Sequence, residues 1–299
     1  MNANQLTTLS AAFDDYPQTR AIKALDVKSD KVAFTFSPIK PANKFFKPCV
    51  RELKFDVSEL AIGTFLMAKA WGKPLVLLPA TIMGRFQHGT MLYNSARGPM
   101  TPKDLPGKRV GVRAYSQTTG IWMRGILFND YGVDTGRCHW VTQEDGHVAE
   151  FVEPPGVERA APEKDLLAML REGEIDAAIY GVNLPNDPTL KSLIPDPEAA
   201  AQRWFARHRV VPINHMVVVT EKLAQTRPDL VREVYRLLLE SKRAAGMPRP
   251  GTIDILPFGL AACRPSLVML IKYLTQQYLL PRSLTVDELF DDITRVLGM

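Results

Sequence analysis

Apolar and polar positions along the chain follow two patterns. In the first two thirds, short apolar runs alternate with segments whose apolar residues recur three and four positions apart. A short apolar run between turn residues is typical of a buried strand, whereas the wider spacing is typical of an amphipathic helix. The alternation predicts an α/β fold with helices covering a parallel or mixed sheet. The predicted strands are residues 6–13, 31–38, 75–81, 109–113, 140–143, 176–181 and 210–219.

The last third of the chain has an almost purely helical pattern. Thr226 is a hydroxyl residue with the carboxylate of Asp229 three positions later, a pairing typical of a helix start. The predicted helix continues to Gly246 and carries one apolar stripe, which consists of Leu230, Val234, Leu237 and Leu238. We expect this helical C-terminal segment to pack on the first of two lobes.

Turn-rich residues 88–94 and the late strand at 210–219 mark two crossings between lobes. A chain that leaves one lobe, builds another and then returns has a discontinuous first lobe. The predicted domains are residues 1–87 plus 217–299 for the first lobe, 95–209 for the inserted lobe, and 88–94 and 210–216 for the hinge crossings.

Residues 144–164 contain six acidic side chains and three prolines without helical or strand periodicity. This composition predicts a long surface loop. A flexible insertion and a lid over a binding site are both open interpretations of such a loop.

Composition narrows the function classes. The 299 residues are 46% apolar and 23% charged, which is enough apolar material for a sizeable core. The net charge of +5 is too diffuse to predict a nucleic-acid partner. The first sixteen residues lack an export signal and no apolar run reaches about 18 residues, so we expect a cytoplasmic protein that does not bind membranes.

The sequence lacks the motifs of several common sites. Its three cysteines are widely separated and predict neither a zinc site nor a disulfide framework. The phosphate-binding, dinucleotide, zinc-peptidase and nucleophile-elbow motifs are all missing from the sequence. Bound nucleotide, zinc-peptidase chemistry and serine hydrolysis therefore lose support, and no metal-binding residues are predicted, although a metal requirement stays open. The number of subunits stays open, a homo-oligomer included.

Two predicted strand-to-helix junctions have the composition of anion sites. One precedes an apolar helix and contains Ser58, and the other contains Thr118 and Thr119. A hydroxyl cap together with unpaired N–H groups at a helix start can face a carboxylate. The alternative for each junction is simple helix capping. Because the two junctions belong to opposite predicted lobes, we expect a small organic anion in a cleft between the lobes.

Polar side chains near the crossings and strand ends are candidates for chemistry. His88 and His215 each lie at a predicted crossing, where an imidazole can relay a proton near neutral pH. A hydrogen-bonded structural role is the alternative for each histidine. Arginines at strand ends or a helix start can bind a carboxylate with two parallel hydrogen bonds, although most arginines are merely solvated. These arginines are Arg20, Arg85 and Arg124.

A short basic stretch at 203–209 contains two aromatic residues. Without further basic clusters it is weak evidence for nucleic-acid binding. It indicates instead a solvated helix end with a buried Trp204.

Nearly the whole chain resembles the 4,5-dihydroxyphthalate decarboxylases, which have the type II periplasmic-binding-protein fold. The most specific motifs are WMRGIL at 122–127 and PINH at 212–215. The chain departs from the family pattern at Gly89, Thr90 and Asn214, beside both candidate histidines, so the exact substrate stays open. The remaining matching segments are residues 19–21, 55–60, 88, 93–94, 104–111, 131–133, 173–177 and 257–260.

The resemblance implies removal of one carboxylate from a dihydroxylated aromatic diacid, without an organic cofactor. On this basis His88 and His215 are expected to transfer protons. The residues expected to bind the substrate carboxylates are Arg20, Arg124, Ser58, Thr118 and Thr119, with Arg85 and Tyr115 in reserve. The rival interpretations are a non-catalytic binding or sensing protein for a small anion and an enzyme of another reaction on the same fold.

Overall fold

The computed structural model describes residues 6–181 and 185–299. Residues 1–5 and 182–184, which the predicted lobe ranges include, lie outside the described residues. Along the chain the elements are β1 (Thr7–Ala12), α1 (Pro17–Lys23), β2 (Val32–Phe36), α2 (Asn43–Glu52), β3 (Val57–Ala61), α3 (Ile62–Ala70), β4 (Leu75–Gly84), β5 (Met91–Asn94), β6 (Arg109–Val112), α4 (Thr118–Tyr131), β7 (His139–Thr142), β8 (Glu158–Arg159), α5 (Leu166–Glu172), β9 (Ala177–Ile179), β10 (Leu190–Ser192), α6 (Pro197–His208), β11 (Ile213–Thr220), α7 (Glu221–Thr226), α8 (Pro228–Ala244) and α9 (Leu260–Gln276).

The described residues form two compact units. Unit 1 contains the chain up to Arg85, Ile213–Ile271 and Leu280–Met299. Unit 2 contains Phe86–Pro212 and Lys272–Leu279. Each unit is built on one sheet.

The sheet of unit 1 has the strand order β2-β1-β3-β11-β4. Strands β2, β1 and β3 run parallel, and β11 runs antiparallel to both β3 and β4. The chain passes from β1 to β2 on one side and then to β3 on the other side of β1, so the strand order reverses between β1 and β3. In open α/β sheets such a switch point creates a binding crevice outside the carboxyl ends of the strands.

The core of unit 1 explains why its C-terminal helices form. Helix α8 presents a stripe of leucines and valines every three or four residues, and Leu230, Val234, Leu237 and Leu238 are all buried against the sheet, as predicted. The helix begins later than predicted, however. Thr226 ends α7 and its hydroxyl donates to the Lys222 carbonyl at 2.7 Å, so it does not cap α8.

The sheet of unit 2 has the strand order β10-β5-β9-β6-β7-β8. Strands β9, β6, β7 and β8 run parallel, whereas β5 is antiparallel to its neighbours β10 and β9. Helix α4 follows β6 and is buried along most of its length, which agrees with its nearly unbroken apolar sequence. Strand β5 was not predicted, because it lies in the turn-rich segment 88–94 that was interpreted as a crossing.

Both predicted helix caps are wrong. Ser58 lies inside β3, and the helix that follows begins at Ile62 with Ala61 at its N-cap. Thr118 is the first residue of α4 itself, and Gln117 occupies the N-cap. The error at Ser58 arose because β3 joins α3 without a turn, so one continuous apolar run covers both elements.

Two other expectations can be compared with the fold. The acidic segment at 144–164 is irregular except for the short strand β8, as expected for a long loop. Trp204 is buried in α6, which confirms the interpretation of the basic stretch around it. Among the described helices, none combines the length and the apolar character that crossing a bilayer would require.

Candidate active site

Polar residues of unit 1 gather at one edge of its sheet. Tyr16 and Arg85 follow the carboxyl ends of β1 and β4, and Glu59 is the middle residue of the short strand β3. Strand β11 runs in the opposite direction, and His215 lies near its start, which brings it to the same edge. These residues therefore lie at the switch point where α/β sheets bind ligands.

Sheet register brings Glu59 and His215 together. Glu59 is directly opposite Val217 in the β3–β11 pair, and His215 lies two residues before Val217 in β11. Residues two apart in a strand share a face, so Glu59 and His215 are diagonal neighbours on one face. Their side chains meet with His215 Nδ1 at 2.6 Å from Glu59 Oε1.

The Glu59 carboxylate is completely buried and receives three hydrogen bonds. Besides His215, the Tyr16 hydroxyl donates to Oε1 at 2.9 Å and the Asp14 backbone N–H donates to Oε2 at 3.0 Å. An ionised carboxylate only accepts hydrogen bonds, and three donors satisfy it well in a buried position. Burial and the adjacent Glu59 charge raise the pKa of Tyr16, so its phenol stays protonated as a donor.

This arrangement orients the His215 ring. With Nδ1 donating to Glu59, Nε2 is the nitrogen that exchanges a proton with a ligand. The side chain is 16% exposed, which gives a small molecule access to it. The Phe46 ring packs edge-on against the imidazole at 5.1 Å between centroids and restricts its rotation.

The other predicted residues of unit 1 differ in how well they are placed for substrate. Arg85 is half-buried near Tyr16, and burial lowers its pKa. Ser58 points away from Glu59, because adjacent strand residues face opposite sides, and its hydroxyl donates to the Glu59 carbonyl at 2.7 Å. Arg20 is exposed in the last turn of α1.

His88 belongs to unit 2, where it is buried and has the charged Asp130 and Arg203 nearby. It is 1% exposed, and its ring packs against Trp204 at 5.9 Å between centroids. Burial lowers the pKa of His88 to about 4, although the nearby Asp130 opposes this shift. Its Nδ1 has no hydrogen-bond partner among the described residues. The imidazole is therefore neutral near pH 7.

The remaining predicted residues of unit 2 lie around the start of α4. Thr118 and Thr119 are buried in its first turn. Arg124 lies one turn further along and donates to the Tyr115 carbonyl and to Gln277 Oε1, both at 2.7 Å. Its guanidinium stacks on the ring of Tyr115 at 4.3 Å.

In residues 6–181 and 185–299, no three side chains of histidine, cysteine, aspartate or glutamate lie close enough together to hold a metal ion.

Sequence reasoning missed Glu59 and Tyr16. Glu59 stands alone as a charged residue within the apolar run from Val57 to Leu66. A buried carboxylate is rare unless it is paired, so its position inside an apolar strand is the signal that could have identified it. Tyr16 carries no such local signal.

The fold is shared with solute-binding proteins. No family model matches the chain. The alkanesulfonate-binding protein SsuA from Xanthomonas axonopodis pv. citri, bound to MOPS, has a TM-score of 0.52 at 14% identity, covering 95% of this chain and 98% of that one. The periplasmic aliphatic sulphonate binding protein SsuA from Escherichia coli has a TM-score of 0.55 at 12% identity, covering 95% and 97%. The chain thus has the predicted periplasmic-binding-protein-like α/β fold.

Two curated relatives identify the family. The 4,5-dihydroxyphthalate decarboxylase of Comamonas testosteroni is 32% identical over 250 residues, which are 79% of this chain and 75% of the relative. The enzyme of the same name from Pseudomonas putida is 30% identical over 210 residues, or 66% of this chain and 81% of the relative. The chain belongs to the 4,5-dihydroxyphthalate decarboxylase family. This confirms the resemblance and the predicted class of enzyme, a carboxy-lyase.

Proposed function

We propose that this enzyme removes one carboxylate from a dihydroxylated aromatic dicarboxylate, with 4,5-dihydroxyphthalate as the model substrate. The products are 3,4-dihydroxybenzoate and CO2. The observation that carries the proposal is the Glu59–His215 hydrogen bond of 2.6 Å at one edge of the sheet of unit 1. The chain that contains it is related to enzymes named 4,5-dihydroxyphthalate decarboxylase.

The substrate supplies its own electron sink. Each carboxylate of 4,5-dihydroxyphthalate is para to a hydroxyl group. When that hydroxyl loses its proton, electron density moves to the para ring carbon, which accepts a proton and becomes tetrahedral. The bond from this carbon to the carboxylate then breaks, CO2 leaves, and the electron pair restores the aromatic ring and the phenolate. The phenolate regains its proton, so the net change is one hydrogen in place of one carboxylate.

His215 is proposed as the group that protonates the ring carbon. Its Nε2–H would donate while Glu59 stabilises the positive imidazolium through Nδ1. A buried, fully hydrogen-bonded carboxylate does this without reorganising during the reaction.

His88 is neutral near pH 7 because burial lowers its pKa to about 4, and it is proposed only to accept a hydrogen bond from the substrate phenol, since taking up the proton would place a positive charge in a buried setting. Arg85, Thr118 and Thr119 are proposed to bind the carboxylate that remains. The cleft expected between the lobes stays a prediction. So does the effect of Gly89, Thr90 and Asn214, the departures from the family pattern, on the choice of substrate.

The test is direct. Purified protein incubated with 4,5-dihydroxyphthalate should release one CO2 for each 3,4-dihydroxybenzoate formed, and His215→Asn should abolish most of this turnover. Saturable binding without CO2 would favour a non-catalytic binder, which the fold shared with the SsuA proteins makes the second candidate.

A further inference from the structure

A buried cluster of polar and aromatic side chains joins the end of α4 to α6 within unit 2. The Asp130 side chain is 8% exposed, and its carboxylate accepts a hydrogen bond from Trp204 Nε1 at 3.0 Å. The same carboxylate lies 2.8 Å from His208 Nε2 and 3.3 Å from Arg207 Nη1. A buried carboxylate needs such donors, because burial without them is costly. Asp130 is therefore a fixed anchor for the side chains of α6.

This anchor sets the plane of the Trp204 ring. The Trp204 side chain is 5% exposed, and the rings of Phe86 and His208 pack against it at 6.5 Å and 4.8 Å between centroids. Turning the indole over about its Cβ–Cγ bond would take Nε1 away from Asp130 and leave a buried donor unpaired, which is costly. The hydrogen bond and the ring contacts together favour one orientation of the indole.

His88 depends on this indole for the orientation of its own ring. The imidazole packs edge-on against Trp204 at 5.9 Å between centroids, within the range of a favourable aromatic pair. Its Nδ1 has no hydrogen-bond partner in the described part of the chain, whereas Nδ1 of His215 is bonded. The backbone is held separately, because the N–H and the hydroxyl of Thr90 both donate to the Gln87 carbonyl, at 2.8 Å and 2.7 Å. The turn thus fixes the backbone of His88, and Trp204 restrains its ring.

We propose that Trp204 is a positioning residue that makes the enzyme selective for a hydroxylated aromatic ring. The inference rests on the proposed function, in which His88 accepts a hydrogen bond from the substrate phenol. A hydrogen bond weakens steeply when its direction is poor, so an imidazole that can rotate is a poorer acceptor. A site built to pair with a hydroxyl group discriminates against the analogue without it. Asp130 contributes to this selection through Trp204.

Two ligands separate recognition of the hydroxyl groups from binding of the carboxylates. 4,5-Dihydroxyphthalate carries both kinds of group, whereas phthalate carries only the carboxylates. Isothermal titration measures both dissociation constants in the full chain with His215→Asn, where turnover is abolished. The quantity compared is the dissociation constant of phthalate divided by that of 4,5-dihydroxyphthalate. A variant that merely disturbs the fold weakens the binding of both ligands and leaves this ratio unchanged.

Trp204→Phe should lower the ratio about three- to tenfold, the usual worth of one neutral hydrogen bond, with little change in phthalate affinity. His88→Leu should lower it equally, and adding Trp204→Phe to His88→Leu should cause no further fall, because both changes remove the same interaction. Asp130→Ser removes the anchor and keeps the indole, and it should lower the ratio in the same direction. Circular dichroism should show an unchanged fold in each variant.

Trp140→Phe is the matched control. Trp140 is likewise buried in unit 2, and its indole N–H donates to the Thr135 carbonyl at 3.0 Å. Its ring lies beside Arg124, so any effect of the change on carboxylate binding is common to both ligands. The ratio should therefore stay unchanged in Trp140→Phe.

An unchanged ratio in folded Trp204→Phe or Asp130→Ser would overturn the inference, as would a further fall when Trp204→Phe is added to His88→Leu. A ratio near one in the chain with His215→Asn alone would also overturn it, since the hydroxyl groups would then not be recognised. CO2 release by the wild-type chain is measured separately. The expected ratios without CO2 release would refute only the decarboxylation, whereas CO2 release with an unchanged ratio in Trp204→Phe would refute only the positioning role.

Discussion

The two candidate histidines occupy opposite environments. His215 donates from Nδ1 to the buried Glu59 carboxylate at 2.6 Å and keeps part of its ring accessible. His88 is buried against Trp204, has no partner for Nδ1 among the described residues, and has its pKa lowered to about 4. An imidazole that must carry a positive charge during a reaction needs the first environment, whereas the second keeps it neutral. Both histidines lie at predicted crossings in the sequence, yet the folded chain gives them different partners and different burial.

Replacing His215 should have the largest effect. His215→Asn should lower kcat for CO2 release from 4,5-dihydroxyphthalate by about 100- to 10,000-fold, the usual contribution of a positioned acid or base. Circular dichroism should show an unchanged fold. The exposed His139→Asn is the matched control and should keep full activity. An equally large fall of kcat in His88→Asn would contradict the proposal that His215 is the proton donor and that His88 stays neutral.

Removing the charge of Glu59 tests what distinguishes His215 from His88. Glu59→Gln should lower kcat about 100-fold, because the neutral amide no longer stabilises the imidazolium. The pH profile of kcat should shift as well, which a purely structural role would not cause. Glu52→Gln, at an exposed position of α2, is the control. An unchanged pH profile in Glu59→Gln would contradict a positioning role.

The buried His88 should make stability depend on pH. Its pKa is lowered from 6.5 to about 4 on folding, so the unfolded chain binds more protons between these values. The free energy of unfolding should therefore fall as the pH decreases through this window. Between pH 7 and 5 the contribution of His88 amounts to about 2 kcal/mol.

Urea unfolding at both pH values checks this contribution. His88→Gln should remove it, whereas His139→Gln should retain the wild-type pH dependence because that ring is exposed in the folded protein. An identical pH dependence in wild type and His88→Gln would mean that the His88 ring is hydrated.

The smallest effect is expected at Tyr16. Tyr16→Phe removes one of the three donors to Glu59 and should destabilise the fold by about 1 kcal/mol, since the Asp14 N–H and His215 still satisfy the carboxylate. Thermal unfolding measures this change, with the exposed Tyr278→Phe as control. A loss of kcat in Tyr16→Phe as large as that in Glu59→Gln would indicate that the phenol takes part in the reaction itself.

Local patterns determined the class of fold and the family. The α/β order, the predicted strands and the amphipathic α8 follow from periodicity, which depends only on neighbouring residues. The motifs around Trp122 and His215 were enough to predict the decarboxylase family, which the relatives confirm. Thr226 shows the limit of local patterns, since its hydroxyl had an alternative acceptor one helical turn back in α7.

Only the tertiary structure decided which side chains meet. Glu59 and His215 are 156 residues apart, and they pair because β3 and β11 are neighbours in one register. A shift of that register by one residue would turn Glu59 toward the opposite face, where Ser58 now lies. The burial of Arg124 likewise depends on Gln277, 153 residues later. The sequence by itself determined the α/β order and the family, whereas non-local strand pairing and burial determined which charges are available for chemistry.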